Sequence, residues 1–357
     1  MKVAIIAGSD LRNYGGGEKD IIRYASQLKD RMDITIFSLR SAETSALRVN
    51  TADIDKLLQG VNVVWYKGRK IRLLKDIWTR YKFDLRDYDK VYVACQGFLL
   101  NRKILKAGAK RTLMGIHTQS TLMKHPIENK AWKQLFYKLV YPINIHYIRQ
   151  FDEIRIQNRD DERRLREIGY HGKIWNVPPA MFKSTPEPVL SDTFYGVWVN
   201  RVSPEKRPEL LVYLARLLPD IEFHAIGSGP QSTVLRGVPN IVCRGFVSDE
   251  ELEKELQFAS FYVSTSRGEN FGMSAVEALA HGVPAYALDV MGLRDYCTVV
   301  FEDIPEMALR IRDIYDNYDE VKAGANFLKM RKEIRQRTLD RFADAKVIPQ
   351  IERMLKS

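Results

Sequence analysis

Two α/β domains, each a doubly wound parallel sheet, are what this sequence predicts, and three observations predict it. Its 357 residues exceed one ordinary core and suit two domains of similar size. Short Val/Ile-rich runs alternate with helical patterns in both halves, the grammar of parallel βαβ units. Between the halves, NVPPAMFKSTPEPVLSD (176–192) holds four prolines, which disfavour helix and central strand alike and mark a linker. A first domain is expected over 1–182 and a second over 190–340. The last segment, 341–357, is expected to return to the first domain as a helix that Pro349 kinks or splits.

In the first half KVAIIAG (2–8), DITIFSL (33–39), VNVVWY (61–66), KVYVACQ (90–96), RTLMGIH (111–117) and EIRIQN (153–158) have strand length and composition. NYGGGEKDIIRYASQL (13–28) reads as a glycine loop entering a helix with Ile21, Ile22, Ala25 and Leu28 on one face. Its glycines permit close approach of a ligand, but the spacing is neither the dinucleotide fingerprint nor the P-loop. His117 closes a strand, a position that suits a structural histidine as well as a ligand-binding one. The Asp87-Tyr88-Asp89 triplet has the look of a metal-binding DxD, yet it precedes a strand and reads better as a turn. YGVWVN (195–200), IEFHAIG (221–227), IVCRG (241–245), FYVSTS (261–266) and VPAYAL (283–288) repeat the grammar in the second half.

Composition narrows the class. Apolar residues are 45% and charged residues 28%, a globular balance, and no run of 18 apolar residues offers a bilayer span. MKVAIIAGSD breaks into Gly-Ser-Asp too soon for an export signal and reads as a buried strand. Cys95, Cys243 and Cys297 are scattered, without the spacing of a metal or redox site, so a reducing cytoplasm is expected. The net charge of +11 is uneven: residues 1–180 hold 34 Lys+Arg against 19 Asp+Glu, while residues 181–357 hold 22 against 26. A basic first half suits an anionic partner, or is a solvated Lys/Arg-rich surface.

The richest stretch is STSRGENFGMSAVEALAHG (264–282). A strand ends in a loop holding Glu269, Gly272 admits close backbone approach, and a helix runs from Met273 to Gly282. Free amides at that helix start suit a phosphate or diphosphate. Glu277, one turn in, can accept from a vicinal diol such as ribose, and Glu269 from a sugar's hydroxyls. The same stretch also reads as an ordinary strand-loop-helix with a solvated Glu269 and a dipole-stabilising Glu277. Asn200 and Arg201 stand at an upstream strand end and Lys206 in the next turn, where two cations can neutralise a diphosphate without metal or can simply be solvated. AIGSGP (225–230), with Gly227, and CRGFVSDEEL (243–252), with Phe246, are further strand ends suited to a flat base.

These residues resemble the family-4 retaining glycosyltransferases. NRVSPEKRPELL, IGSGP, RGFVSDEEL and SRGENFGMSAVEALAHGVPAYA follow that family in order and spacing, and GGGE and GIHTQS extend the match into the first half. The resemblance implies the GT-B fold, two Rossmann-like domains facing a cleft. It implies a donor set of Gly16, Gly17, Asn200, Arg201, Lys206, Gly227, Phe246, Glu269, Asn270, Phe271, Gly272, Met273 and Glu277. Within it Glu269 engages the donor sugar, Glu277 the ribose, and Arg201 and Lys206 the diphosphate, while His117 binds the transferred sugar. The implied catalytic group is His117, Glu269, Arg201 and Lys206, with no cofactor and no metal. The implied reaction moves a sugar from a nucleotide diphosphate sugar to an acceptor hydroxyl with retention, in glycan, lipid-linked oligosaccharide or cell-surface polysaccharide synthesis. Alternatives are a GT-B enzyme modifying nucleic acid and a non-catalytic nucleotide-sugar-binding protein. VPPAM (177–181) departs from the family's frequent Asn-Gly turn at the end of the first domain.

Two segments combine apolar and basic residues at helical spacing. RKIRLLKDIWTRYK (69–82) places Ile71, Leu74, Trp78 and Tyr81 among Arg and Lys, and NKAWKQLFYKLVYP (129–142) places Trp132, Phe136 and Leu139 among Lys130, Lys133 and Lys138. That is the pattern of an interfacial helix, and equally of helices packed on a sheet. A glycan or lipid-linked acceptor at the inner face of an anionic membrane is the expected partner, ahead of nucleic acid.

Overall fold

The computed structural model describes residues 1–7, 9–40, 51–67, 83–94, 98–117, 121–122, 131–323 and 326–357. The chain divides into two compact units: Met1–Met181 together with Asp344–Ser357, and Phe182–Ala343.

Among the described residues of the first unit, β1 (Lys2–Ala7), β2 (Asp33–Arg40), β3 (Asn62–Lys67), β4 (Lys90–Val93), β5 (Thr112–Gly115), β6 (Glu153–Ile156) and β7 (Lys173–Asn176) form one parallel sheet ordered β3-β2-β1-β4-β5-β6-β7. Helices α1 (Gly16–Leu28), α2 (Thr51–Leu57), α3 (Phe98–Leu105), α4 (Ala131–Ile148) and α5 (Arg159–Glu167) lie in its crossovers. Both faces are covered, so β1 reads as an unbroken apolar run: Val3 and Ile5 enter one core with Ile21 and Leu28 of α1, and Ala4 and Ile6 enter the other with Ile148 of α4.

The second unit repeats the plan. Strands β8 (Tyr195–Val199), β9 (Glu222–Ile226), β10 (Ile241–Gly245), β11 (Phe261–Ser264), β12 (Ala285–Leu288) and β13 (Val299–Phe301) are ordered β10-β9-β8-β11-β12-β13. Helices α6 (Pro208–Leu217), α7 (Asp249–Phe258), α8 (Met273–Ala280), α9 (Ile304–Asp316), α10 (Tyr318–Ala323) and α11 (Asn326–Phe342) accompany them. In each sheet the winding reverses beside the first strand, at β1/β4 and at β8/β11. In open α/β sheets ligands bind outside the carboxyl ends of the strands at such a point.

Two strands exceed what the sequence suggested. β7 holds only Ile174 and Trp175 as strand-forming residues, and β13 is a three-residue edge. The terminal helix also differs from expectation. α12 (Asp344–Lys356) runs through Pro349 without a break, and the chain turns instead at Ala343, which bridges Phe182. One lost helical hydrogen bond is offset because Val347, Ile348, Ile351, Met354 and Leu355 are all buried in the core of the first unit. The fully buried Lys90 ammonium anchors the end of α12. It donates to Glu153 Oε1 at 2.8 Å, Met354 O at 2.9 Å and Ser357 Oγ at 3.0 Å.

In the second unit His224 of β9 lies between two carboxylates, its Nδ1 2.6 Å from Glu255 Oε2 and its Nε2 2.6 Å from Glu222 Oε1, with its ring stacked on Tyr195. Burial pushes the imidazole pKa down, but the hydrogen bonds to Glu255 and Glu222 outweigh it and the net shift is upward. A raised folded-state pKa stabilises most below the unfolded histidine value and loses that contribution as pH rises through the raised one. The melting temperature of this unit is therefore expected to fall as pH climbs from about 6 into the alkaline range. His224→Gln should flatten that dependence and cost about 2 kcal/mol at the acidic end, as for a charge-assisted hydrogen bond. Melting curves of both proteins across pH check this; an equally steep dependence in the variant would remove His224 as its source.

Candidate functional site

In the second unit the β8/β11 switch point gathers the candidate residues. Asn200 follows β8, and its N–H donates to Ile226 O at 3.0 Å. Gly227 and Gly229 complete this junction: a Cβ on Gly227, whose φ is +123°, would lie 2.0 Å from Asn200 O, and one on Gly229 2.2 Å from Val202 O. The glycines of IGSGP are thus required by loop-to-loop contact after β8 and β9, a reason that spacing alone does not reveal. The turn holding Lys206 is pinned from beneath: Thr265 Oγ1 donates to Lys206 O at 2.8 Å and accepts from Trp198 Nε1 at 3.0 Å.

Lys206 Nζ forms an ion pair with Glu269 Oε1, and Ser266 Oγ donates to the same oxygen at 2.7 Å. Both charged side chains are largely buried, at 20% and 14% exposure, so the pair is far less screened than a surface one. The structure therefore joins two residues 63 positions apart that the sequence could place only on separate loops. Arg201 sits differently: its side chain is 65% exposed and pairs with Glu205 at 3.0 Å.

α8 begins beside this pair. Gly272 is its N-cap at φ 76°, and a Cβ there would meet Leu293 Cδ2 at 2.5 Å and the Tyr296 hydroxyl at 2.8 Å. The glycine cap has no side chain to bond the first amides, and the first return bonds run from Ala275 and Val276 N–H to Gly272 O. The amides preceding them, including that of Met273, have no partner within the helix, and an amide end of this kind suits an anion. Glu277 is one turn further on and half-buried. Asn270 and Phe271 are buried; Phe271 packs on Tyr296 and Phe342 at 5.4 Å each, anchoring the loop to α11. Phe246, after β10, is 58% exposed.

Gly16, Gly17 and His117 belong to the first unit. Gly16 and Gly17 open α1 ahead of its first return bond, Lys19 N–H to Gly15 O at 2.9 Å. His117 lies just beyond β5, with Nε2 2.8 Å from the Tyr92 hydroxyl and Nδ1 3.3 Å from Gln157 Nε2. Behind it Arg155, fully buried in β6, donates to Tyr92 Oη at 3.2 Å, to Asp20 Oδ2 of α1 at 2.8 Å, and to the carbonyls of Val177 at 3.0 Å and Pro178 at 2.6 Å. Burial, with the Arg155 charge behind it, pushes His117 down to about 3, so the ring is neutral at ordinary pH. Sequence reading missed Tyr92, Gln157, Ser266 and the Asp20–Arg155 pair. An arginine in the middle of the strand EIRI was the available signal, since a charge facing a sheet's covered side must find a partner inside.

Asp89 of the DYD triplet accepts from Lys2 N–H at 2.8 Å and from Lys110 Nζ at 2.7 Å, which makes it a strand-edge brace. Segment 69–82 and Cys95 lie outside the described residues, as do residues 129 and 130 of the second basic segment.

Residues 194–317 match the family model "Glycosyl transferases group 1". D-inositol 3-phosphate glycosyltransferase of Mycobacterium sp. (strain KMS) is 33% identical over 109 residues, 27% of this chain and 25% of that protein. Sulfoquinovosyl transferase SQD2 of Arabidopsis thaliana is 30% identical over 103 residues, 28% of this chain and 20% of that one. The match thus spans about a quarter or less of the curated relatives' length. Among solved structures, sucrose-phosphate synthase from Thermosynechococcus elongatus superposes with a TM-score of 0.77 at 15% identity, covering 100% of this chain and 98% of the other. HepE of Anabaena, in complex with UDP and glucose, does so at 0.72 and 15%, covering 100% of both. The chain therefore carries a glycosyl transferases group 1 domain within a GT-B fold.

The His117 contacts make a prediction of their own. Gln157 Nε2 can only donate to Nδ1, so the neutral ring carries its proton on Nε2 and donates it to Tyr92 Oη, which also accepts from Arg155. Gly115 leaves room for this contact, since a Cβ there would lie 2.3 Å from His117 Nε2 and 2.5 Å from Tyr92 Oη. Nitrogen-15 histidine spectra should show a non-protonated Nδ1 in the wild type, and Tyr92→Phe or Gly115→Ala, which remove or displace the acceptor of the Nε2 proton, should populate the other tautomer. An unchanged His117 signal in both variants would contradict the assignment.

Proposed function

We propose that this chain is a retaining glycosyltransferase that moves a sugar from a nucleotide diphosphate sugar onto an acceptor hydroxyl without a metal ion. The observation that carries the reading is the largely buried Lys206–Glu269 pair at the β8/β11 switch point beside the first amides of α8, inside the stretch that matches the group 1 model. A diphosphate suits that place: helix amides and Lys206 offer donors at fixed positions, and Arg201, on an exposed arm, can swing from Glu205 to add a planar fork.

In this reading the diphosphate replaces Glu269 as the partner of Lys206, which frees Glu269 to accept from the donor sugar's hydroxyls. Glu277 receives the ribose diol, and the base rests near Gly227 and Phe246. Asn200, Asn270, Phe271 and Met273 hold the loops that frame it. His117 binds the transferred sugar, and the amides of Gly16 and Gly17 serve the phosphates and acceptor. The bond from the anomeric carbon to the phosphate oxygen breaks as the acceptor oxygen bonds that carbon on the same face, and the acceptor proton passes to the departing phosphate. The protein's part is chiefly electrostatic, stabilising charge on the leaving diphosphate. The names of the curated relatives, both transferring sugar units, and the UDP and glucose bound to HepE favour a nucleotide-sugar donor and a glycan or lipid-linked acceptor here.

Turnover of UDP-, GDP- and ADP-sugars, followed by nucleotide release, tests this. Activity with one of them is expected to persist in EDTA. Lys206→Ala should lower kcat by a factor of 100–1,000, or ~3–4 kcal/mol, with little change in KM. Abolition by EDTA with rescue by Mg²⁺ would overturn the metal-free mechanism, and no turnover of any nucleotide sugar would overturn the reading itself.

Glu277→Gln is expected to separate binding from chemistry. Ribose contacts change little on the way to the transition state, so this variant should raise KM several-fold with a near-normal kcat, whereas Glu269→Ala and His117→Ala should lower kcat. Wild-type kcat in both of the latter would remove them from the sugar site.

A further inference from the structure

In α4 several of the described apolar side chains face solvent, unlike those of an ordinary surface helix. Its inward side is satisfied by Ile148, fully buried, and by Ile145 against the same core. Yet Leu135 is 58% exposed, Leu139 66% and Ile143 45%. Residues four apart stack on one face, so these three form a continuous aliphatic ridge about 12 Å long, edged by Phe136 at 37% exposure. Scattered exposed leucines need no explanation; a ridge on one helix does.

Its surroundings are as unusual as its shape. α4 holds no Asp or Glu, and Lys138 stands exposed beside the ridge. Between residues 98 and 150 the sequence contains ten Lys and Arg and a single acidic residue, Glu128. We infer that α4 is a docking surface for an anionic lipid bilayer, lying in the interface plane with Leu135, Leu139 and Ile143 among the acyl chains and the basic residues at the headgroups. A second copy of the chain fits poorly, because pairing two such faces would bring two strongly basic surfaces together. Nucleic acid fits poorly as well, because an aliphatic ridge has nothing to pair with phosphates and no flat face for bases. Charge supplies attraction and the ridge supplies insertion, so both salt and apolar substitutions should weaken binding.

Cosedimentation with vesicles tests this without any sugar donor, so its outcome is independent of the proposed transfer reaction. The full chain should pellet with phosphatidylcholine vesicles that contain phosphatidylglycerol, far less with phosphatidylcholine alone, and less at high salt. Leu135→Gln combined with Leu139→Gln should weaken binding roughly tenfold or more with an unchanged melting temperature, since both side chains are already in water in the free protein. A Leu139→Trp probe should shift its emission to the blue on vesicle addition. Absence of pelleting at low salt, equal binding by the double variant, or tighter binding to DNA than to vesicles would each overturn the proposal. So would a dimer in light scattering that the same double substitution dissolves.

Discussion

Backbone carbonyls that no sheet or helix can satisfy are the constraint around which this chain is organised. The proline-rich segment between the two units cannot join a ladder, and its carbonyls must find donors elsewhere. Buried arginines supply them, separately in each unit. Arg155 takes the carbonyls of Val177 and Pro178 in the first unit. Arg331 takes those of Val189, Gly282 and Gln257 in the second, and Arg335 takes those of Thr185 and Pro186. A guanidinium suits the task because its five donors lie in a rigid plane, so one side chain can close several orphan acceptors at once. Burial pulls the Arg331 pKa down to about 10, still well above neutrality, so its charge and all its donors persist.

Arg155 links this structural duty to the candidate site. The same guanidinium that closes the end of the first unit holds Asp20 on α1 and donates to Tyr92, the hydroxyl that meets His117. Asp20 in turn accepts from Ala180 N–H at 2.7 Å, so the glycine-led helix, the sheet and the outgoing chain share one buried network. Such a network holds the His117 ring in place.

The second unit places its candidate residues by other means. Trp198 and Thr265 lock the Lys206 turn from below, Gly227 and Gly229 bring two loops into contact, and Phe271 anchors the Glu269 loop in an aromatic cluster. Phe271, Gly227 and Gly272 brace these loops, each packed closely against neighbouring protein atoms.

What the sequence determined by itself was periodic or local. Strand runs buried on both faces, the capping glycine before Met273, the proline segment and the Glu269–Glu277 spacing all show in linear order, because each is a property of a few consecutive residues. The short strand β7 and edge strand β13 did not, since too few residues carry their signal, and Pro349 does not split α12 because core burial outweighs one lost hydrogen bond. Only the tertiary structure decided which distant residues meet: Lys206 with Glu269, His117 with Tyr92 and Arg155, and Lys90 with the end of α12. Those meetings follow from strand order. The β8-β11 and β1-β4 neighbours are separated in sequence by whole βαβ crossovers, and no local pattern records which strand lies beside which.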